Sequence, residues 1–277
     1  MAFLRFYRNA SLLRTACLSV LAASILFLWG CAHWTIPGAM EKEELSRERI
    51  DSLVSRFAPH NERDTLKTMA HISIDHPRGR YVRKVALLAR RPASLRIDAI
   101  PLFGPSDFFM SVGEGLIRVL LPGKGTYYVS PATKGNLARF FHIPMPVDHT
   151  VSILLGIPPL APTDDLTLKG YREGRRDRLD MLSGGTTMQS LWFNEHDDIA
   201  EIALFEAGGS RLYTVSFFDY ITSGGITHPG RLKITIEDDS GMIFASVRYI
   251  DPEITRDGDP SLFDLPIPAG IEPRFLK

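Results

Sequence analysis

Cysteine is almost absent: two residues among 277, Cys17 and Cys31, both close to the N-terminus. Everything after Cys31 therefore folds without a disulfide and must be held by its core, which about 220 residues in one unit are enough to build. Net charge is missing too, because the 32 basic and 32 acidic residues cancel, and nothing in that balance asks for nucleic acid. Low-complexity tracts and repeats are absent, as is a Gly-x-Ser-x-Gly nucleophile elbow. Gly123-Lys124-Gly125 lacks the earlier glycine and the strand-loop-helix setting of a phosphate-binding loop. His196 stands among Glu195, Asp197 and Asp198, but consecutive residues point in diverging directions and lack metal-ligand spacing. Asp238, Asp239, Asp257 and Asp259 miss the EF-hand pattern and suit turns, where the carboxylate bonds its own backbone. His142 and His149 flank a helical pair and read as surface or lid residues. The expectation is no catalytic residue, no metal and no enzyme.

What is present begins at the N-terminus. Arg5, Arg8 and Arg14 form a basic region, residues 16–28 an apolar core, and Gly30 a small residue at a cleavage position. The apolar run is shorter than the roughly 20 residues of a spanning helix, which disfavours an uncleaved anchor. Leu28-Trp29-Gly30-Cys31 resembles the bacterial lipobox, with Trp29 where a small or β-branched residue is usual. That resemblance implies that residues 1–30 are a lipoprotein signal peptide and that Cys31 becomes the acylated first residue. The covalent diacylglyceryl and N-acyl chains on Cys31 are then the only prosthetic chemistry expected. Ala32, in place of Asp after the Cys, implies delivery to the outer membrane, facing the periplasm. Loss of the three leader arginines leaves a net charge of about −3. Residues 31–40 read as a tether containing Pro37 and Gly38, spanning at most about 30 Å.

Residues 41–277 read as one domain. Leu45, Ile50, Leu53, Val54 and Phe57 share a helical face, with Glu41, Glu43 and Glu44 at the N-terminal end of the dipole and Pro59 as the stop. From Thr65 the period becomes two. Strands are expected from 65 to the turn at 77–79, then at 81–89, 94–100, 116–121 and 126–130. Between them, residues 101–110 form a loop crowded with Leu102, Phe103, Phe108, Phe109 and Met110. Two short apolar helices follow within 132–155 and need a sheet to cover. Strands resume at 166–171, 179–182, 188–193, 199–205, 212–218, 231–237 and 243–249, with charged turns at 172–178 and 194–198. The tail at 262–270 adds an edge strand limited by its prolines. The fold class is mainly β with helices (α+β): about eleven strands in a large curved antiparallel sheet, an unclosed half-barrel with helices covering its concave face.

The phrases Arg91-Pro92-Ala93-Ser94-Leu95-Arg96-Ile97-Asp98, Pro101-Leu102-Phe103-Gly104, and Pro144-Met145-Pro146 leading to Ile153-Leu154-Leu155-Gly156, with the order of elements over residues 45–270, resemble the LolA/LolB superfamily. The likeness is to LolB-like lipoproteins in particular, some grouped as DUF4292-like domains. It implies an acyl-chain-binding half-barrel and a protruding loop that hands cargo to the membrane, with Leu102 the best match and Phe103 the next. It also implies membrane lipid and acylated lipoprotein cargo as partners, a periplasmic LolA-like carrier, and a monomer.

The candidate residues follow. The transfer loop is Leu102, Phe103, Phe108 and Phe109, since clustered exposed aromatics mark an interface. The cavity and lid are drawn from Ile72, Leu87, Leu95, Leu137, Phe140, Phe141, Val151, Leu154, Leu204 and Ile234, any one of which also suits an ordinary core. The basic turn Arg172, Arg175, Arg176, Arg178 is interleaved with Glu173, Asp177 and Asp180 and reads as a solvated tip with a minor chance of touching anionic headgroups. The competing function is a structural or assembly lipoprotein that docks a partner protein and has no cavity.

Overall fold

The computed structural model describes residues 43–57, 64–159, 166–223, 226–238, 241–256 and 258–277. The leader, lipobox, Cys31 and tether lie outside the described residues, as do Pro59, Asp239 and Asp257. In chain order the elements are β1 Glu43–Glu44, α1 Arg47–Phe57, β2 Thr65–His76, β3 Gly79–Arg90, β4 Ser94–Ile100, β5 Phe109–Gly113, β6 Leu116–Leu121 and β7 Thr126–Pro131. Then come α2 Lys134–Phe141, α3 Val147–Leu154, β8 Leu166–Glu173, β9 Arg176–Ser183, β10 Thr186–Phe193, β11 Ile199–Phe205, β12 Arg211–Ser223, β13 Ile226–Asp238, β14 Gly241–Thr255 and β15 Pro273–Phe275.

Among the described residues, fifteen strands form one sheet, ordered β1-β8-β9-β10-β11-β12-β13-β14-β2-β3-β4-β5-β6-β7-β15. Every neighbouring pair is antiparallel except β15 on β7. The sheet stays open, an unclosed half-barrel. Its order explains the helices. The chain leaves β7 near one edge and must next form β8 near the other, so it has to cross the sheet in between, and residues 132–159 begin that crossing. Two short apolar helices on that path cover the concave face and bury Leu137, Val147, Val151, Ile153 and Leu154.

Period-two alternation places the core. In β4, Leu95, Ile97 and Ala99 are buried and Arg96 and Asp98 lie on the other face, where they form an ion pair at 3.1 Å. Ends are set by local chemistry. Thr133 caps α2 by accepting from the Asn136 N–H at 3.2 Å, and His142 closes it in the left-handed conformation at φ 55°. Pro146 starts α3. The Leu154 carbonyl at its end accepts from the Tyr249 hydroxyl at 2.9 Å and from His228 Nε2 at 3.1 Å, which pins α3 to β13 and β14. Gly156, at φ 73°, lies where a Cβ would come within 2.5 Å of the Pro229 ring.

Three expectations need correction. Phe109 and Met110 begin β5 rather than continue the loop, because Met110 alternates inward with Val112 to full burial and Phe109 turns to the opposite face beside Asp98 and Leu120. The tail strand is β15, three residues beyond the expected 262–270 and parallel to β7. Residues 260–263 instead make a 3-10 turn, and the following segment crosses the outer face as a strap. The strap is held there by Arg96 on the Leu262 and Asp264 carbonyls, by Ser111 on the Phe263 carbonyl, and by the Tyr127 hydroxyl on the Leu265 carbonyl at 2.5 Å. Beyond the twelve strand ranges expected between 65 and 249, the sheet gains β5, hidden in an apolar loop, and β1 and β15, which are too short to show a period. All the described residues belong to one compact unit, Lys42–Lys277, and no helix among them is long and apolar enough to cross a membrane.

Candidate functional site

The sheet's concave face is not filled evenly. At β8, α1 closes it tightly because Gly170 has no Cβ; one there would fall 2.7 Å from Ile50 Cγ1, while α3 runs from β3 and β4 to β13 and β14. Over β2, β3 and β4 a cavity of about 400 Å³ remains. Its walls follow from strand alternation: Ile72 and Ile74 from β2, Tyr81, Arg83 and Val85 from β3, Ile97 and Ala99 from β4, and Leu121 at the end of β6. The last turn of α2 roofs it with Phe140, Phe141 and His142, and Phe108 joins them from the loop, its ring 5.9 Å from that of Phe141 in an edge-on arrangement. An apolar concavity of this volume with few polar groups at one end has the form of a small-molecule site.

Ile72, Phe140 and Phe141 are thus brought together at the cavity. Leu87, Leu95, Leu137, Val151, Leu154, Leu204 and Ile234 are all under 9% exposed and do not line it. Leu87 pairs across from Ile97 and Leu95 lies one step further along β4, Leu137 and the α3 residues pack into the core, and Leu204 and Ile234 are buried on β11 and β13 away from the cavity. The cavity residues that sequence reading passed over are Ile74, Val85, Ile97, Ala99, Tyr81 and Arg83. Strand alternation puts all six on one face, but which layer stays unfilled depends on where α2 stops.

The loop after β4 leaves the cavity rim. Its base is clamped: Ala99 N–H donates to the Phe108 carbonyl at 2.9 Å, and Ser106 Oγ–H to the Ala99 carbonyl at 2.6 Å. Between these ties Leu102 and Phe103 stand 94% and 92% exposed, while Phe108 turns in to the cavity and Phe109 enters β5. The transfer-loop set therefore divides, with Leu102 and Phe103 at the tip.

Charges at the rim are Arg83, Lys124, Asp107 and His142, with Arg83 and Asp107 3.5 Å apart and both largely in solvent. His142 stacks on Tyr81 at 4.5 Å and lies 5.2 Å from His76; burial first, then the charges of His76 and Arg78, hold it below the ordinary histidine value. His149 shares a 2.9 Å hydrogen bond with the Tyr213 hydroxyl, and burial lowers it as well, against the opposing pull of Asp148. Both histidines protonate at lower pH in the folded chain than in the unfolded one. Stability is therefore lost as pH falls through 6.5 and levels off below the folded values. Thermal unfolding should show a lower midpoint at about pH 5 than at about pH 7, with a flatter dependence in His149→Asn.

The remaining candidates are engaged structurally. The turn of β8 and β9 is only Gly174-Arg175, and three of the four arginines around it are paired: Arg172 with Asp177, Arg175 with Glu195, and Arg178 with Glu173 and Asp180. Asp197 accepts two hydrogen bonds from Arg49 of α1, whose Nε reaches the buried Asp177 at 2.7 Å, and Arg49 keeps the Asp197 carboxyl below the usual range. The cluster fixes α1 across the end of β9. Among the described residues no three histidine, cysteine, aspartate or glutamate side chains converge as a metal site.

Neither known protein families nor curated proteins yield a match to this chain. Solved structures do. The chain is similar to a LolA-superfamily protein from Nitrosomonas europaea, at 12% identity over 80% of this chain and 98% of that one, with a TM-score of 0.51. A DUF1329-family protein from Desulfovibrio piger matches at 12% identity, 78% and 96% coverage and TM-score 0.49. An outer-membrane lipoprotein-sorting protein domain from Vibrio parahaemolyticus matches at 10% identity, 78% and 95% coverage and TM-score 0.45. At these identities the likeness is one of fold, and the fold is LolA/LolB-like.

Proposed function

We propose that this protein is an outer-membrane-anchored lipoprotein that binds acyl chains in its half-barrel cavity and assists the reception or insertion of lipoproteins or lipids at the outer membrane. The observation that carries this reading is the pairing of an apolar cavity of about 400 Å³ with an adjoining loop whose two apolar tip residues are over 90% exposed. Burying such side chains in a bilayer returns about 2 kcal/mol each, and a chain held at the rim has a short path to the membrane they enter. Acylation of Cys31 and a short tether would keep the domain within reach. The reading assigns no catalysis and no cofactor beyond the covalent lipid; its partners are membrane lipid, acylated cargo and a LolA-like periplasmic carrier. A partner-docking lipoprotein without ligand needs a filled interior, and the open space over β2 to β4 weighs against it. Mass spectrometry of the purified full chain should find acyl lipid at near one equivalent and palmitate incorporation that depends on Cys31. Lipid-free protein, or labelling that persists in Cys31→Ser, contradicts the proposal.

A further inference from the structure

We infer that the cavity takes one acyl chain at a time and selects chains that end in an anion: a single-chain anionic amphiphile, in place of the several chains of an acylated lipoprotein. The inference rests on the acyl-chain reading above and narrows it. Volume decides the number of chains. A dry cavity of about 150 Å³ accommodates a six-carbon ring, so about 400 Å³ accommodates roughly sixteen carbons, which is one chain of ordinary membrane length. Two or three such chains need two or three times that space. Leu87 and Leu95, each 1% exposed, close the floor. The neighbouring space beyond His142, about 380 Å³, is lined by His76, Arg78, Lys134 and Asp238, and that charged lining does not suit a second apolar chain.

Charge decides the head. The apolar walls, Ile72, Ile74, Val85, Ile97 and Phe141, end in a mouth that carries Arg83 and Lys124 against a single carboxylate, Asp107, with His142 beside them. The Arg83–Asp107 pair is 3.5 Å long, with its side chains 63% and 53% exposed, and such a pair is worth little. An incoming carboxylate or phosphate displaces Asp107 from the guanidinium at small cost and gains charge-assisted contacts to two cations, Arg83 and Lys124, at the mouth of the apolar cavity. The chain runs inward from there, and its polar end stays where water and both cations reach it. An uncharged head forfeits this contact.

The test uses the full chain held in amphipol, loaded with a fluorescent polyene fatty acid, and displaced by palmitate, lysophosphatidylglycerol, hexadecanol or a triacylated lipopeptide. Palmitate or the lysophospholipid should displace the probe at one per protein, and hexadecanol at least tenfold more weakly. Whichever anion is stronger tells a free fatty acid from a lipid headgroup as the source. Arg83→Gln combined with Lys124→Gln should shrink the gap between palmitate and hexadecanol and leave thermal unfolding unchanged, as both side chains are exposed. Equal displacement by hexadecanol overturns the anion selectivity, and stronger displacement by the triacylated lipopeptide overturns the single-chain count, while either result leaves the acyl-chain reading standing. No probe binding, and no displacement by anything, removes both.

Discussion

Ala99→Phe is expected to abolish acyl-chain binding, by at least tenfold in affinity, while the protein still folds. Ala99 is 4% exposed and lines the cavity from the end of β4, across from Val85 of β3. A larger side chain in a close-packed core costs about 1–3 kcal/mol through forced rotamers and backbone shifts. Here the ring has open volume in front of it, so the strain is small and some apolar area is buried. The space it takes is the space a chain needs. A fluorescent fatty-acid titration beside a thermal melt checks both halves: the melt should stay within a few degrees of the parent while the titration goes flat. A parent-like titration in a well-folded variant would show that chains bind elsewhere, and a collapse of the melt would show that the volume is not open.

Leu102→Glu with Phe103→Glu should act on the other half of the mechanism. Neither side chain contributes to the core, so stability is expected to change by no more than about 0.5 kcal/mol. Each loses about 2 kcal/mol of membrane burial, and at 1.4 kcal/mol per factor of ten the pair should lower liposome association by two orders of magnitude or more. Acyl-chain binding should persist, because neither residue lines the cavity. A leaderless-competent readout is transfer of a fluorescent lipid from the full chain to vesicles. Transfer that stays at the parent rate takes the loop out of the mechanism.

The half-barrel was legible where one face is wet and the other dry. β4 spans the expected residues 94–100, β11 the expected 199–205, and α1 starts within a turn of the expected Leu45 face and ends on Phe57. What the sequence conceals is context. Phe108, Phe109 and Met110 are three adjacent apolar residues with three destinies: cavity wall, outer face and core. Nothing local separates them, since the split is imposed by β5 pairing with β4 and β6. The strap and β15 are hidden for a related reason, because their bonds go to Arg96, Ser111 and Tyr127, more than a hundred residues away. Alternation also lists every inward residue of a strand alike. Ile97 and Leu95 differ only by one layer, and it is the end of α2 at Phe141, fixed by the His142 cap, that leaves the first beside open space and covers the second. The basic turn was legible in composition but its pairing was not: Arg172, Arg175 and Arg178 are spent on Asp177, Glu195, Glu173 and Asp180.

The central claim, that an acyl chain lies in the space between β2, β3, β4 and the end of α2, is tested most directly by photolabelling. A palmitate analogue with a diazirine near its methyl end, activated on the full chain and mapped by peptide mass spectrometry, should mark Ile72, Ile97 or Phe141, with the mark suppressed by excess palmitate and lost in the Ala99→Phe variant. Labels confined to Leu102 and Phe103, or scattered over the outer face without competition, would contradict it.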